Sequence, residues 1–146
     1  MNAGDIMSQD IIVAKENTSA ESIRMKLLTG EFNGVSVVDD NMDIVGIVTA
    51  IDILKAIRKS GNNRNLNSLV AKDIMTPNPT VVRKDTPIEE IIDIMIQKEI
   101  MMVPVVAEKE EEGNNNNRLI GVVSRQDILR EKFNEDFIAL GRSNIV

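Results

Sequence analysis

The sequence predicts an α/β (α+β) fold built from two tandem copies of one β-α-β-β-α unit, whose sheets pack on each other. Short motifs recur at a constant spacing along the 146 residues. Each copy alternates Val-rich runs with apolar positions at helical spacing. One copy alone holds too little core to be stable, so two copies are expected to share one.

The repeat is clearest in motifs that share one offset. Asp5-Ile6-Met7-Ser8 returns 68 positions later as Asp73-Ile74-Met75-Thr76, and Val35-Ser36-Val37-Val38 returns at the same offset as Val103-Pro104-Val105-Val106. Later motifs are displaced by 7 further positions. The extra residues lie in the polar stretch 108–117, which predicts a lengthened, mobile hairpin loop.

Each copy opens with a short strand and an amphipathic helix. The strands are predicted around 11–13 and 80–82. The helices are predicted from apolar positions spaced i, i+3, i+4 and i+7, which mark one buried face. These positions are Ala20, Ile23, Leu27 and Leu28 in the first copy, and Ile88, Ile91, Ile92, Met95 and Ile96 in the second.

The starts of these helices carry a capping signal. Thr18 with Glu21, and Thr86 with Glu89, have the spacing of a capping box. Pro87 suits a first helical turn, where its missing N–H costs nothing. We therefore expect both Thr residues to cap helices.

The second half of each copy is predicted as a β-hairpin followed by a helix. The Val-rich strands lie at 35–38, 44–48, 103–106 and 119–123. Residues 39–43 are the first hairpin loop, and helices follow from about Ala50 and from about Arg125. The predicted division is repeat 1 at 1–60, a polar linker at 61–70, repeat 2 at 71–135 and a C-terminal tail at 136–146.

Missing residue types exclude several classes of function. The chain has no His, Cys, Trp or Tyr, so the usual zinc, haem and iron–sulfur ligand sets and His-dependent triads are excluded. A net charge of −6 and only three Phe disfavour a nucleic-acid partner. No apolar run approaches the ~18 residues of a membrane span. Without Cys or a signal-peptide pattern, we expect a cytoplasmic protein.

A second recurring signature joins a strand to a helix. It reads Gly46-Ile47-Val48-Thr49-Ala50-Ile51-Asp52, and again Gly121-Val122-Val123-Ser124-Arg125-Gln126-Asp127. Free N–H groups and the helix dipole favour an anion at such a turn. A carboxylate one turn later is placed to accept from vicinal hydroxyls. The hydroxyl and carboxylate of each motif also fit a capping box, so cap and ligand contact both stay open.

The whole chain resembles a stand-alone pair of CBS repeats, also called a Bateman module. The resemblance rests on Asp-Ile-Met near the start of each copy, Thr-x-x-Glu, Val103-Pro104-Val105-Val106, and Gly-Ile-Val-Thr or Gly-Val-Val-Ser before Asp-Ile-Leu. It implies pseudo-twofold symmetry and two clefts between the paired sheets. Each cleft would hold an adenosine-containing effector such as AMP, ATP, S-adenosylmethionine or methylthioadenosine, with no required cofactor and no metal.

The resemblance also implies ligand-binding residues. Asp52 and Asp127 would hold ribose hydroxyls, and Thr49 and Ser124 would reach toward the phosphate or its equivalent. Arg125 is the one cation inside a motif. Backbone near the adenine edge would come from Ile12, Val13, Thr80 and Val81. The side chains expected to sandwich the ring are Val35, Ile51 and Val103.

The sequence departs from the family at the phosphate end. Members that bind phosphates tightly often place a basic residue before the Val-Pro-Val strand, where this chain has Asn33-Gly34 and Met101-Met102. The departure is greatest beside Thr49, and it leaves two alternatives: a weakly charged adenosyl ligand, expected to bind at least as well as ATP, or an empty first cleft.

The leading functional hypothesis is a regulatory module that senses an adenosyl ligand and passes the change to an unknown effector protein. The alternative is a structural dimerisation module without a ligand. No nucleophile–base pair and no phosphate loop is visible, so we do not expect an enzyme, nor a nucleic-acid or membrane partner. A homodimer is expected because apolar helix stripes such as Ile88-Ile91-Met95 would leave apolar surface uncovered.

Overall fold

The predicted α/β class and the two β-α-β-β-α repeats are confirmed. The computed structural model describes residues 1–29, 33–61, 66–108 and 117–132. In chain order the elements are α1 (Ala3–Ile6), β1 (Val13–Lys15), α2 (Ala20–Leu28), β2 (Gly34–Val38), β3 (Ile44–Thr49), α3 (Ala50–Lys59), a 3₁₀ turn (Leu66–Ser68), α4 (Ala71–Ile74), β4 (Thr76–Pro77), β5 (Val82–Arg83), α5 (Ile88–Lys98), β6 (Met102–Val106), β7 (Leu119–Ser124) and α6 (Arg125–Lys132).

Each repeat builds its own sheet with the same pairing. β1 is parallel to β2, and β2 is antiparallel to β3, with β4 added at the far edge of β3. The second sheet repeats the parallel and antiparallel pairs in the order β5-β6-β7. A register shift between Val37 and Val38 recurs between Val105 and Val106. The repeat therefore extends to the irregularities of the strands.

The two sheets pack on each other, as predicted. Val38, Ile44, Val106 and Leu119 are all buried and form one cluster that draws on both sheets. Both repeats also have a core of their own, between sheet and helices. Every residue of β2 is consequently buried, because its two faces meet different partners.

The repeats exchange the segments that lead into them. Ala3 and Ile6 of α1 pack into the core of repeat 2, whereas Ala71 of α4 packs into the core of repeat 1. The Ala3 N–H donates to the Thr86 carbonyl at 2.9 Å, and the Ala71 N–H donates to the Thr18 carbonyl at 2.8 Å. These two bonds occupy equivalent positions of the repeat, so they express its pseudo-twofold symmetry. Each core is completed by the other repeat.

The predicted capping boxes at Thr18 and Thr86 are wrong. Each helix begins one residue later than expected, after Ser19 in α2 and after Pro87 in α5. Each Thr hydroxyl instead accepts the N–H of the last residue of the preceding strand, at 2.9 Å and 3.0 Å. The hydroxyl closes the strand-to-helix turn, so it cannot cap the helix.

The two Glu residues of those patterns have other surroundings. The Glu21 carboxylate accepts a bond from Arg24 Nε at 2.8 Å, and this side-chain hydrogen bond holds the pKa of Glu21 below its ordinary value. Glu89 is exposed in the first turn of α5. Neither is part of a capping box.

Other boundaries differ only slightly from expectation. The first strands of the two repeats begin about two residues later than predicted, at Val13 and Val82. The second half of the predicted linker contributes Leu66, which is buried in the core of repeat 1. Residues 62–65 of that linker, 109–116 of the lengthened loop and the predicted tail 136–146 lie outside the described residues.

Candidate functional site

A cleft of about 260 Å³ opens between the repeats where β7 turns into α6. Repeat 1 contributes Ile12 and Gly34, and repeat 2 contributes Ser124 and Asp127. Ser8, from the segment that leads into repeat 1, also lines it. We call it the Asp127 cleft.

Asp127 is fixed at the start of α6 by a capping box. The Ser124 N–H donates to Asp127 Oδ2 at 2.8 Å, and the Asp127 N–H donates to Ser124 Oγ at 3.2 Å. The second oxygen, Oδ1, has Arg130 Nη1 at 3.6 Å. Within the described part of the chain no donor makes a hydrogen bond to Oδ1. The cap is therefore real, and it leaves one carboxylate oxygen able to accept from a ligand.

Asp52, the equivalent residue of repeat 1, is more fully engaged. It is buried, with 8% of its surface exposed. Its Oδ2 accepts the Thr49 N–H at 2.8 Å and lies 3.2 Å from the Thr49 hydroxyl, which donates to it. Its Oδ1 accepts the hydroxyl of Thr76 at 3.1 Å. Thr76 belongs to β4, so a residue that leads into repeat 2 closes this site.

The glycine of each motif allows the leading segments to approach the sheet. A Cβ on Gly121 would lie 2.7 Å from Met7 Sδ and 2.9 Å from the Ser8 carbonyl oxygen. A Cβ on Gly46 would overlap Met75 in the same way. The recurring glycine was visible in the sequence, but its reason is a contact with a distant segment.

The repeat pairing, the shared register shift and the exchanged segments correspond to a known architecture. The family model described as CBS domain matches residues 3–59 and 71–134. The chain belongs to the CBS domain family. It is a tandem CBS pair, as its sequence resemblance implied.

Among its relatives is the chloroplastic CBS domain-containing protein CBSX2 of Arabidopsis thaliana, 28% identical over 153 residues. The alignment covers 87% of this chain and 61% of CBSX2. The crystal structure of CBSX2 in complex with AMP superposes with a TM-score of 0.73 at 27% identity, covering 93% of this chain and 98% of that one.

Two further relatives are a CBS domain pair and a larger enzyme that this chain matches over a small part of its length. The CBS domain pair of protein MJ0100, solved in complex with 5′-methylthioadenosine and S-adenosyl-L-methionine, gives a TM-score of 0.75 at 28% identity over 92% of this chain and 98% of that one. A homoserine O-acetyltransferase of Methanohalobium evestigatum is 32% identical over 126 residues, which is 86% of this chain but 23% of the enzyme. The CBS pair thus spans about three fifths of CBSX2 and under a quarter of the acetyltransferase.

The CBS pair brings together only part of the predicted ligand-binding set. Ile12, Ser124 and Asp127 meet in the Asp127 cleft. Thr49 and Asp52 meet at the start of α3. Val35 and Val103 are fully buried, each in the core of its own repeat.

The other residues predicted to bind the ligand lie elsewhere in the structure. Val13 and Val81 pack against the cluster between the sheets. Thr80, which precedes Val81 in the chain, is partly buried. Ile51 is 55% exposed on α3. Arg125 is exposed at the first position of α6, and its N–H donates to the Met101 carbonyl at 2.9 Å.

Sequence reasoning missed several residues of the Asp127 cleft. Ser8 reaches it because its backbone pairs with Val122 of β7 in both directions, at 2.8 Å and 3.0 Å. The Asn33 side-chain amide donates to Gln126 Oε1 at 2.7 Å and so links the two repeats. Arg130 also lines the cleft. Ser8 could have been found from its place in the repeated Asp-Ile-Met-Ser motif. No sequence pattern pointed to the contact between Asn33 and Gln126.

The described residues contain neither a membrane-spanning helix nor a cluster of metal ligands. Over the described ranges, no helix combines the length and apolar character needed to cross a membrane. In the same ranges no three acidic side chains, or other metal ligands, converge on one point.

Proposed function

We propose that this CBS pair is a regulatory, non-enzymatic module, cytoplasmic as its composition suggests, that binds an adenosine-containing ligand between its repeats and signals to an effector protein. The observation that carries the proposal is Asp127: one oxygen is fixed by the helix cap, and the residue lines a cleft between the repeats. The complexes of CBSX2 with AMP, and of MJ0100 with methylthioadenosine and S-adenosylmethionine, support the ligand class.

In the proposed complex Asp127 Oδ1 accepts the ribose hydroxyls. Ser124 lies on the side of the 5′ substituent, and Ile12 and Gly34 border the adenine. A carboxylate that accepts from two hydroxyls selects a ribose over a deoxyribose, because deoxyribose offers one hydroxyl fewer. The ring needs no aromatic partner, since aliphatic side chains border the cleft.

The proposed signalling depends on which parts of the chain line the Asp127 cleft. Ligand contacts in this cleft would involve both repeats and the leading segment at Ser8, so binding favours one relative packing of these parts. An effector that distinguishes the two packings is then coupled to the ligand by the same free energy. The Asn33–Gln126 bond joins the repeats and both of its residues line this cleft, so it is a contact between repeats that a ligand would adjoin.

The ligand class is tested by thermal unfolding with a panel of AMP, ATP, S-adenosylmethionine and methylthioadenosine. At about 100 times its dissociation constant a ligand adds about 2.7 kcal/mol of stability, which at this size is roughly 5–10 °C in Tm. We expect S-adenosylmethionine or methylthioadenosine to shift Tm at least as much as ATP, because Asn33-Gly34 and Met101-Met102 supply no positive charge. Clearly tighter binding of ATP or AMP would contradict this preference. No shift with any compound would contradict the proposed function.

A structural dimerisation module is the second candidate, because exposed apolar side chains occupy equivalent positions in the two repeats. Leu28 and Ile96 are 65% and 69% exposed on α2 and α5, and Leu54 and Leu129 are 59% and 57% exposed on α3 and α6. The stripe predicted to drive association is not part of this surface, since Ile88 and Ile91 pack inside repeat 2. A second copy of the chain, with the same symmetric surface, is the proposed partner.

We therefore expect a homodimer in solution. Light scattering should give twice the chain mass at tens of micromolar, and a Leu54→Glu, Leu129→Glu double variant should give the mass of one chain. Asp85→Lys, a charge change at an exposed position outside these helices, is the control and should remain dimeric. A wild-type protein that is monomeric at that concentration would rule the dimer out.

A further inference from the structure

We infer that the two clefts of this CBS pair are unequal: the Thr76 hydroxyl bonds Asp52 at the oxygen that a ribose hydroxyl would use, so one ligand binds per chain, in the Asp127 cleft. The inference rests on the proposed function and adds its stoichiometry and the residue that sets it. We call the site around Asp52 and Thr76 the Asp52 cleft.

The carboxylates differ in the oxygen that a ligand needs. Asp52 Oδ1 accepts the Thr76 hydroxyl at 3.1 Å. Among the described residues no donor makes a hydrogen bond to Asp127 Oδ1, and Arg130 Nη1 lies 3.6 Å from it, a distance beyond that of a hydrogen bond. Ser8 takes the place of Thr76 at the Asp127 cleft, and its hydroxyl donates no bond there within the described residues. A ribose hydroxyl therefore meets an unbonded acceptor in one cleft and, in the other, an acceptor that already holds one bond.

The position of Thr76 is fixed by its backbone. Thr76 and Pro77 form β4, which pairs with Ile47 and Gly46 of β3 as a two-residue strand. Ser8 is attached to the equivalent strand by a single bridge to Val122. The better-anchored segment thus carries the hydroxyl that reaches the carboxylate.

The energetic consequence follows from the exchange of partners. A ligand that bonds Asp52 Oδ1 must displace the Thr76 hydroxyl or share the oxygen with it, so the new bond competes with an existing one. The ligand therefore gains less than the full benefit of a bond to a charged acceptor, which is worth about ten- to hundredfold in affinity. Removing the Thr76 hydroxyl should make Asp52 Oδ1 fully available to a ligand.

Isothermal titration with AMP and with methylthioadenosine tests this directly. For wild type we expect one equivalent per chain, abolished by Asp127→Asn and retained in Asp52→Asn. Thr76→Val should add a second equivalent, about tenfold or more tighter than any second event in wild type, and Asp52→Asn in that background should remove it. Thr76→Ser keeps the hydroxyl and should return to one equivalent. Thr29→Val makes the same side-chain change at a hydroxyl that bonds the Lys26 carbonyl, and should also bind one.

The alternative outcomes distinguish a failure of the unequal clefts from a failure of adenosyl binding itself. Two equal equivalents in wild type, a single equivalent that depends on Asp52 rather than Asp127, or a Thr76→Val variant that still binds one ligand would each overturn the inference while leaving an adenosyl-binding module intact. Absence of binding by either compound in wild type would overturn the proposed function itself. Thermal unfolding of each variant confirms that it is folded, which the exposure of Thr76 favours.

Discussion

Replacing Asp127 by alanine is expected to weaken AMP and methylthioadenosine binding about ten- to hundredfold, because a hydrogen bond to a charged group is worth about 1.5–3 kcal/mol and about 1.4 kcal/mol is one decade. Most of the ligand-induced rise in Tm should disappear with it. The measurement is the Tm of wild type and variant with and without ligand, supported by titration calorimetry. Asp52→Ala should leave ligand affinity nearly unchanged, since Asp52 is buried, already bonded to Thr76 and outside the cleft that binds the ligand.

The substitution at Asp127 also removes a helix cap, and the chain offers a matched control for that. Asp5 is the third residue of α1 and forms the same capping box with Asn2, with bonds of 2.8 Å and 3.2 Å. Both substitutions should lower the stability of the ligand-free protein by about 0.5–2 kcal/mol. Only Asp127→Ala should lose the ligand shift. If the two variants responded to ligand alike, the Ser124–Asp127 motif would be a cap alone and the sensing function would lose its main support.

Gly121→Ala is expected to destabilise the protein by about 1–3 kcal/mol, the range for overpacking a filled interior. The added methyl would meet the Ser8 carbonyl oxygen at 2.9 Å and Met7 Sδ at 2.7 Å. Backbone cannot yield as a side chain can, so the leading segment would have to leave β7. The measurement is the free energy of unfolding by urea, with titration calorimetry to record the accompanying loss of affinity.

Gly46→Ala is the matched comparison for that substitution, since the three nearest atoms there belong to the side chain of Met75 and none to backbone, with Met75 Cβ the farthest at 3.1 Å. It should cost less than Gly121→Ala. A Gly121→Ala protein as stable as wild type would show that the leading segment does not depend on this close approach.

The repeat, the fold class and most strand boundaries could be predicted because they depend on local patterns. The spacing of Val and Ile, alternating in strands and i, i+3, i+4 in helices, depends on which side chains face the core. Both copies of the repeat show these spacings. The capping boxes at Thr18 and Thr86 failed for a related reason: a hydroxyl three residues before a Glu fits a cap and also fits a strand-to-helix turn. The sequence contains both options, and tertiary contacts select one.

The candidate site was only partly predictable, since its two halves are distinguished by distant contacts. Asp52 and Asp127 stand in the same local motif, and the sequence reasoning separated them only by the residue that follows each hydroxyl, Ala50 or Arg125. The structure separates them through Thr76, which lies 24 positions from Asp52 and belongs to the other repeat. The exchange of α1 and α4 was invisible for the same reason, because a repeat offset orders motifs along the chain without stating which motifs touch.

That exchange makes the two repeats one cooperative unit. If repeat 2 opened alone, Ala3 and Ile6 would lose their burial, and Ala71 would be pulled from the core of repeat 1. Partial unfolding therefore exposes apolar surface in both halves at once, and an all-or-none transition is the less costly path. A ligand bound in one cleft accordingly stabilises the whole chain, including strands that it does not contact, because neither repeat unfolds without the other.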